Sequence, residues 1–503
     1  MNLDITKRDR QVEASTRWRN ARGIGTLVHP MRFGKTFETI SFIINPHLNV
    51  NVGNTVIVIV PSDIVNKHWE DNLKSYCVDL LRVTIISVNY AVLNKIETSC
   101  TLLVVDELHK YTNTPERKAV IDGTLIKHHY RLGLTGTYPN SINWIEELYP
   151  IVDIITEEEA IANKWTSPFI EYNLLLELSA IDKAKYEKFS KPIKETLELF
   201  KPLLSILVRE ENKRIFEDEF SLITACTKGF STVSLSGRDK WVTYDQLCNT
   251  IAYLLGWHKD LDITIPINEE LHKIWCPIAI HNRAKVFIDF VRKRNDILID
   301  NNIKLEVIGD IIERNPVPTI LFNESTVFAD RLTNYLNNRF KDTFRVACYH
   351  SKIDSREMID PTTGDCFKFT TGDRKGKPKI LGKESIKKIV IEGFRNGYYN
   401  ALSTAKSLDE GLDIPKIEQV ICSGGTTNPM TYQQRTARGK TVDFYNPDKI
   451  TKIYNLVFDD FSNIDGELIK SRDKTKLILR QQSTGSSIKW IKNLDDINID
   501  TSE

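Results

Sequence analysis

Several absences narrow the reading before any motif is considered. The 503 residues carry 68 Lys and Arg against 67 Asp and Glu, a net charge of +1. No global field of one sign therefore announces a polyionic partner, and any nucleic-acid binding must use local grooves. The eight cysteines (77, 100, 226, 248, 276, 348, 366 and 422) include no Cys-x-x-Cys and no paired Cys/His spacing. That pattern favours free buried thiols in a reducing compartment over disulfides or zinc. No apolar run approaches the roughly 18–20 residues a membrane span needs. The polar, charged start from Asn2 to Arg10 is neither a signal peptide nor a span. A soluble, cytoplasmic protein with no membrane partner is expected. No repeat of about 20–50 residues is visible either.

What is present is ordinary in amount and specific in arrangement. The apolar fraction of 41% and charged fraction of 27% are those of a globular protein, and the length sets a prior of roughly three domains. Residues 1–155 alternate strand and helix signals, with β-branched runs at Thr26–Val28, Val56–Val60, Val83–Val88 and Thr101–Val105. Such runs between helical patterns argue a parallel sheet covered on both faces. Residues 156–300 read as a mostly helical connector or insertion, with Ser179-x-x-Asp182 as a capping box and few strands before Leu305. Residues 301–465 alternate again, with strands expected at Thr319–Phe322, Arg345–Tyr349, Tyr399–Ser403, Gln419–Cys422 and Lys452–Phe458. Residues 466–503 form a polar tail of which Ile488–Ile491 is expected to dock. The fold class is α/β, two parallel-sheet domains with a mostly helical connector.

The stretch that organises the rest is Gly25–Thr39. A short strand feeds a loop ending in Gly34-Lys35-Thr36, and a helix begins. Backbone N–H groups of such a loop converge on an anion. Lys35 would reach β/γ-phosphates and the Thr36 hydroxyl would sit on Mg²⁺. The phosphate-loop pattern is incomplete, because His29 holds the first glycine position and Arg32 another place where glycine is common. Alone, the loop reads equally as a helix start after a strand. Asp106 and Glu107 follow the buried run Leu102–Val105, at the strand end where open α/β sheets put ligands. Asp106 would hold Mg²⁺ through water and Glu107 would orient and deprotonate an attacking water. The plainer alternative is a solvated acidic strand end. Leu134–Thr137 follows another strand end. In the second half, Arg435 and Arg438 fall at i and i+3, on one helix face. Their guanidinium groups suit the charge of a phosphoryl-transfer transition state, or make a plain basic face.

Taken in order, these segments resemble superfamily 2 helicases and translocases over roughly residues 8–465. Arg8–Gln11 resembles the adenine-reading glutamine motif, and His29–Thr36 motif I. Val60-Pro61-Ser62 with Trp69 resembles motif Ia, Ser87–Tyr90 motif Ib, Asp106–His109 a DExH motif II and Leu134–Thr137 motif III. Ile320–Arg331 resembles motif IV, Lys406–Pro415 motif V and Gln434–Arg438 motif VI. Ala405, Ala437 and Thr441 depart from the family pattern at a threonine, a glycine and an arginine position. The resemblance implies two RecA-like domains flanking one ATP with Mg²⁺. Lys35, Asp106, Glu107, Arg435 and Arg438 would be catalytic. Gln11, Arg32, Gly34, Lys35, Thr36, Gly411, Asp413, Arg435 and Arg438 would bind nucleotide, and Thr36 and Asp106 would hold Mg²⁺. Pro61, Ser62, Asn89 and Lys406 would touch nucleic acid.

The loops are similar to those of phage-encoded branched-DNA helicases and Swi/Snf-like translocases. That implies single-stranded, forked or branched DNA as partner, tracked 3′ to 5′, in replication, recombination or repair. A double-strand translocase without strand separation, an RNA helicase, and a nucleotide-gated binding subunit without turnover stay open. A last feature is the segment Pro361–Lys383, with Lys368, Arg374, Lys375, Lys377, Lys379 and Lys383 against Asp365 and Asp373, a surplus of four. Its turns and the alternation at Cys366–Phe369 read as an exposed basic hairpin, able to hold phosphates or to be a solvated loop.

Overall fold

The computed structural model describes residues 2–61, 63–76, 78–111, 114–139, 142–207, 218–229, 277–341, 343–371, 374–405, 416–424, 429–443, 446, 448–462, 468–481 and 488–500. Among them, no helix is long and apolar enough to cross a membrane.

The first sheet has six strands in the order Val83–Ser87, Val56–Val60, Leu102–Asp106, Tyr130–Thr135, Ile24–Val28 and Ile151–Ile154, all paired in parallel. The continuous apolar runs follow from burial on both faces. Val56, Val58 and Val60 pack into one core cluster with Trp69 and Leu73, while Ile57 and Ile59 point the other way, into a second with Tyr111 and Tyr149. The strand expected to reach Val88 stops at Ser87, and Val88 opens a short helix, Val88–Leu93.

The second sheet has seven strands, ordered Val346–His350, Ala401–Ala405, Thr319–Asn323, Gln419–Cys422, Thr451–Phe458, Phe169–Leu176 and Ile488–Ile491. The tail segment Ile488–Ile491 docks in parallel on Phe169–Leu176. That partner lies inside the stretch read from sequence as helical connector. The signal there is masked because Glu171 and Asn173 are buried where apolar residues would be expected. The region around Leu305 is likewise a helix, Asn302–Arg314, rather than a strand.

The first sheet, the second sheet and the tail make one compact unit, while Glu177–Asn302 with Phe458–Ser471 makes another. In that second unit the helices Ala180–Leu207, Glu219–Gly229 and Pro277–Ile299 carry most of the described chain. The Asp182 N–H donates to Ser179 Oγ at 3.1 Å, so the expected cap opens the long helix.

Candidate active site

The strand Ile24–Val28 ends at a loop whose geometry explains both departures from the phosphate-loop pattern. His29 is fully buried, its Nδ1 3.1 Å from Glu38 and its Nε2 2.8 Å from Asp153. The side chain therefore turns into the core, away from any phosphate, and a glycine is not needed there. Arg10 and Arg17 also bind Asp153, at 2.9 and 2.6 Å. Burial pushes the imidazole pKa down, but the hydrogen bonds from Asp153 and Glu38 outweigh it and hold His29 above its ordinary value. Burial likewise raises Asp153, yet His29 and Arg10 prevail and keep it a carboxylate.

Arg32 has φ 70° and Gly34 φ 97°, left-handed backbone that glycine adopts freely and other residues adopt at a cost of about 1–2 kcal/mol. Lys35 folds back on the loop, donating to the carbonyls of His29 at 3.0 Å and Pro30 at 3.3 Å. Gln11, on the helix Asn2–Asn20, is buried and donates to Phe33 O at 3.2 Å. It braces the loop.

Asp106 closes its strand with Oδ2 accepting from Trp69 Nε1 at 2.8 Å. Burial first, then the neighbouring Glu107, pushes its pKa up to about 6. Glu107 has φ 54°, the kind of backbone outlier that gathers at functional sites. Its Oε2 lies 3.5 Å from His109 Nδ1, and that nitrogen is 3.0 Å from Thr135 Oγ1. Thr135 gives its own hydroxyl proton to Thr137 O at 2.7 Å, so it accepts from His109 and fixes the Nδ1–H tautomer. Thr137 Oγ1 in turn donates to Gln433 Oε1 at 2.8 Å. A hydrogen-bonded chain thus runs from His109, beside Glu107, through Thr135 and Thr137 to the helix that carries Gln433.

That helix, Pro429–Thr436, is shorter than the sequence reading required. Arg438 lies in the turn beyond it, so Arg435 and Arg438 do not share a helical face. The turn carries Gly439 against Thr451, so closely that a Cβ there would sit 2.3 Å from Thr451 Cγ2. The two arginines accordingly separate. Arg438 lines a cavity of about 360 Å³ with Met31, Arg32, Gly34, Lys35, Thr36, Pro61, Asp106, Glu107, Lys110, Gln434 and Thr441 among the other lining residues. Arg435 does not line it. It is buried, 3.8 Å from Glu324 and over the Phe322 ring at 5.5 Å.

The other expected residues fall as follows. Gln11 does not line the cavity. Pro61, expected on nucleic acid, lines the cavity instead. Asn89 is exposed and accepts from Arg117 Nη2 at 3.3 Å. Ser62, Lys406, Gly411 and Asp413 lie outside the described residues. Sequence reasoning missed Trp69 as the Asp106 partner, His68 and Asn72 as cavity lining, and Lys449. The Lys449 ammonium, buried, donates to the carbonyls of Ile417, Gly439 and Thr441 at 3.0, 3.0 and 2.5 Å. Burial lowers its pKa to about 8.

Residues 380–440 match the helicase conserved C-terminal domain. The match supports a superfamily 2 helicase. Among curated proteins, the chain is similar to the DNA 3′-5′ translocase XPB2 of Sulfurisphaera tokodaii, at 23% identity over 452 residues, 86% of this chain and 78% of that protein. Among solved structures it is similar to the type ISP restriction-modification enzyme LlaBIII bound to DNA, with TM-score 0.50 and 11% identity, covering 97% of this chain and 31% of that one. It is also similar to the Pyrococcus furiosus Hef helicase domain, with TM-score 0.47 and 14% identity over 94% of this chain and 98% of that one. The fold that these comparisons accompany is two RecA-like parallel sheets. The cavity joins Gly34–Thr36 and Asp106–Glu107 of the first sheet's side to Gln434, Ala437, Arg438 and Thr441 of the second's.

Proposed function

We propose that the protein is an ATP-dependent DNA translocase or helicase of superfamily 2, moving 3′ to 5′ and acting on forked or branched DNA. The observation that carries the reading is the meeting of Lys35, Asp106, Glu107 and Arg438, from two different sheets, on one cavity. Its charge fits the substrate: Arg32, Lys35, Lys110 and Arg438 face it against Asp106 and Glu107, a surplus of cations suited to a polyphosphate.

Mg²⁺ fits the donor set as well, since Asp106 Oδ2 is pinned by Trp69 while the carboxylate still faces the cavity beside Thr36. Thr36 and Asp106 would hold the ion, which neutralises phosphate charge when bound. Lys35 would exchange the loop carbonyls for phosphate oxygens. Glu107 would orient the attacking water and take its proton. Arg438 would meet charge developing on the transferred phosphoryl group. Because these residues come from both sheets, nucleotide favours the closed cleft and hydrolysis releases it. The Thr137–Gln433 bond would report that change to motif VI.

The sequence of the bases plays no part in backbone contacts of this kind, so sequence-independent binding follows. The test is ATP hydrolysis by the purified chain with single-stranded, duplex and forked DNA and with RNA, followed by strand displacement on forks. DNA stimulation with 3′ to 5′ displacement is expected. Stimulation by RNA alone would move the assignment to an RNA helicase, and duplex stimulation without displacement to a double-strand translocase.

A further inference from the structure

Between the strand Val346–His350 and the helix Lys383–Arg395 the chain leaves the sheet and returns. Its backbone is not a loose loop. Arg356–Glu357 pairs antiparallel with Ile380–Leu381, and bridges join Ile359 to Cys366 and Lys368 to Pro378. Phe369 N–H donates to Lys377 O at 3.0 Å, Lys379 N–H to Phe367 O at 2.7 Å, and Phe367 N–H to Met358 O at 3.0 Å. The base is rooted in the second domain, where Met358 and Leu381 belong to its core and Phe367 packs against it. The excursion is a shaped, anchored ribbon.

Its outer surface is cationic. Lys368, Arg374, Lys375, Lys377 and Lys379 are all exposed. Among the described residues, none of the five is in an ion pair or a side-chain hydrogen bond; Arg374 alone has a ring neighbour, Phe369 at 5.9 Å. Some exposed cations elsewhere are paired, Lys74 with Glu70 at 2.5 Å, Lys293 with Asp289 at 2.7 Å and Arg339 with Asp310 at 2.7 Å; the ribbon differs in density, with five cations within residues 368–379. Like charges crowded at residues 368–379, five basic residues against Asp373 alone, repel one another, a local cost only partly offset by Glu357, Asp360 and Asp365 elsewhere on the ribbon. A dense external anion removes it.

We infer that this ribbon is a second nucleic-acid contact, gripping the phosphate backbone of duplex DNA through Lys368, Arg374, Lys375, Lys377 and Lys379. The inference rests on the reading of the protein as a DNA translocase and adds to it a binding surface separate from the nucleotide cavity. Duplex DNA carries one negative charge per about 1.7 Å of axis, denser than an acidic peptide segment can sustain, and each phosphate neutralised releases counterions.

The test replaces the five cations by glutamine (K368Q/R374Q/K375Q/K377Q/K379Q) and leaves Met358, Phe367 and Leu381 in place. Affinity for a fluorescent duplex is measured against salt, beside ATP hydrolysis without nucleic acid. A second variant, K74Q/K185Q/K201Q/K293Q, removes exposed lysines elsewhere. The expected result is unchanged DNA-free hydrolysis, at least tenfold weaker duplex binding, and a log–log salt slope reduced by about 0.9 for every phosphate that the variant no longer neutralises. The second variant should keep the parental slope. A ribbon variant with parental affinity and slope overturns the inference, and so does an equal loss of affinity in the second variant, which would make net charge the cause. Competition by poly-glutamate as strong as that by duplex would assign the ribbon to an acidic protein instead. If wild-type hydrolysis responds to no nucleic acid, the functional reading itself fails, which is a separate outcome.

Discussion

The two walls of the cavity are fastened in different ways. On the phosphate-loop side the buried ties lie within one domain: His29 between Glu38 and Asp153, Arg10 and Arg17 on Asp153, Gln11 on Phe33. On the motif VI side the ties reach across the chain. Tyr432 donates to Glu171, and Asn455 donates to Glu171 at 2.8 Å and Asn173 at 3.0 Å, both on Phe169–Leu176, a strand of the second sheet that comes far upstream in the chain. Lys440 pairs with Glu157 at 2.6 Å, and Ser167 donates from its N–H to Lys440 O at 2.9 Å. The first wall is anchored by neighbours in its own domain. The second is anchored to segments far upstream in sequence: to Phe169–Leu176 within its own sheet and, through Lys440, to Glu157 and Ser167 in the connection between the sheets.

The comparison is broken most sharply at the arginines. Arg438→Ala should slow hydrolysis by about 10³–10⁵-fold, as loss of an arginine finger does, whereas Arg435→Ala, outside the cavity, should cost far less. Equal losses in steady-state turnover would erase the distinction between cavity and core arginine.

The first wall is probed by His29→Gln. Breaking a buried charged pair costs about 3–5 kcal/mol, read by urea unfolding. The sign with pH is fixed by the raised imidazole: its contribution is full below the ordinary histidine pKa and lost as pH rises through the raised folded value. Asp153, held low, loses its share as pH falls through its own folded value. The gap between wild type and variant should therefore narrow toward alkaline pH. A gap that widens would mean His29 is buried neutral.

A smaller effect is expected from Tyr432→Phe, which strips one hydroxyl from Glu171 and Asn455. Leaving a buried acceptor short costs about 1–3 kcal/mol. Turnover should fall more than binding of nucleotide, because the damage is to the second wall. A variant with lower affinity and normal turnover would show that this anchorage does not place Arg438.

Much of this was readable from the chain. Val56–Val60 and Leu102–Asp106 announce themselves because a strand buried on both faces must be apolar throughout. Lys35, Thr36, Asp106, Glu107 and Arg438 reach the cavity from the motifs that named them. What stayed hidden depends on partners distant in sequence. Phe169–Leu176 does not read as a buried strand because Glu171 and Asn173 are satisfied by Tyr432 and Asn455. The parting of Arg435 from Arg438 follows from a helix that ends at Thr436, before a turn in which Gly439 meets Thr451. His29 reads as a defect in a glycine loop until Glu38 and Asp153 are seen around it.

The central claim is that this cavity hydrolyses ATP under the control of DNA. The most direct measurement is steady-state phosphate release by wild type, Lys35→Ala and Glu107→Gln, with and without duplex DNA, beside nucleotide binding by each. The account predicts DNA-stimulated release by wild type, and in Glu107→Gln a loss of about 10²–10⁴-fold with nucleotide still bound. Lys35→Ala should fold normally and release no phosphate. Parental turnover in folded Lys35→Ala, or in Glu107→Gln, would contradict it.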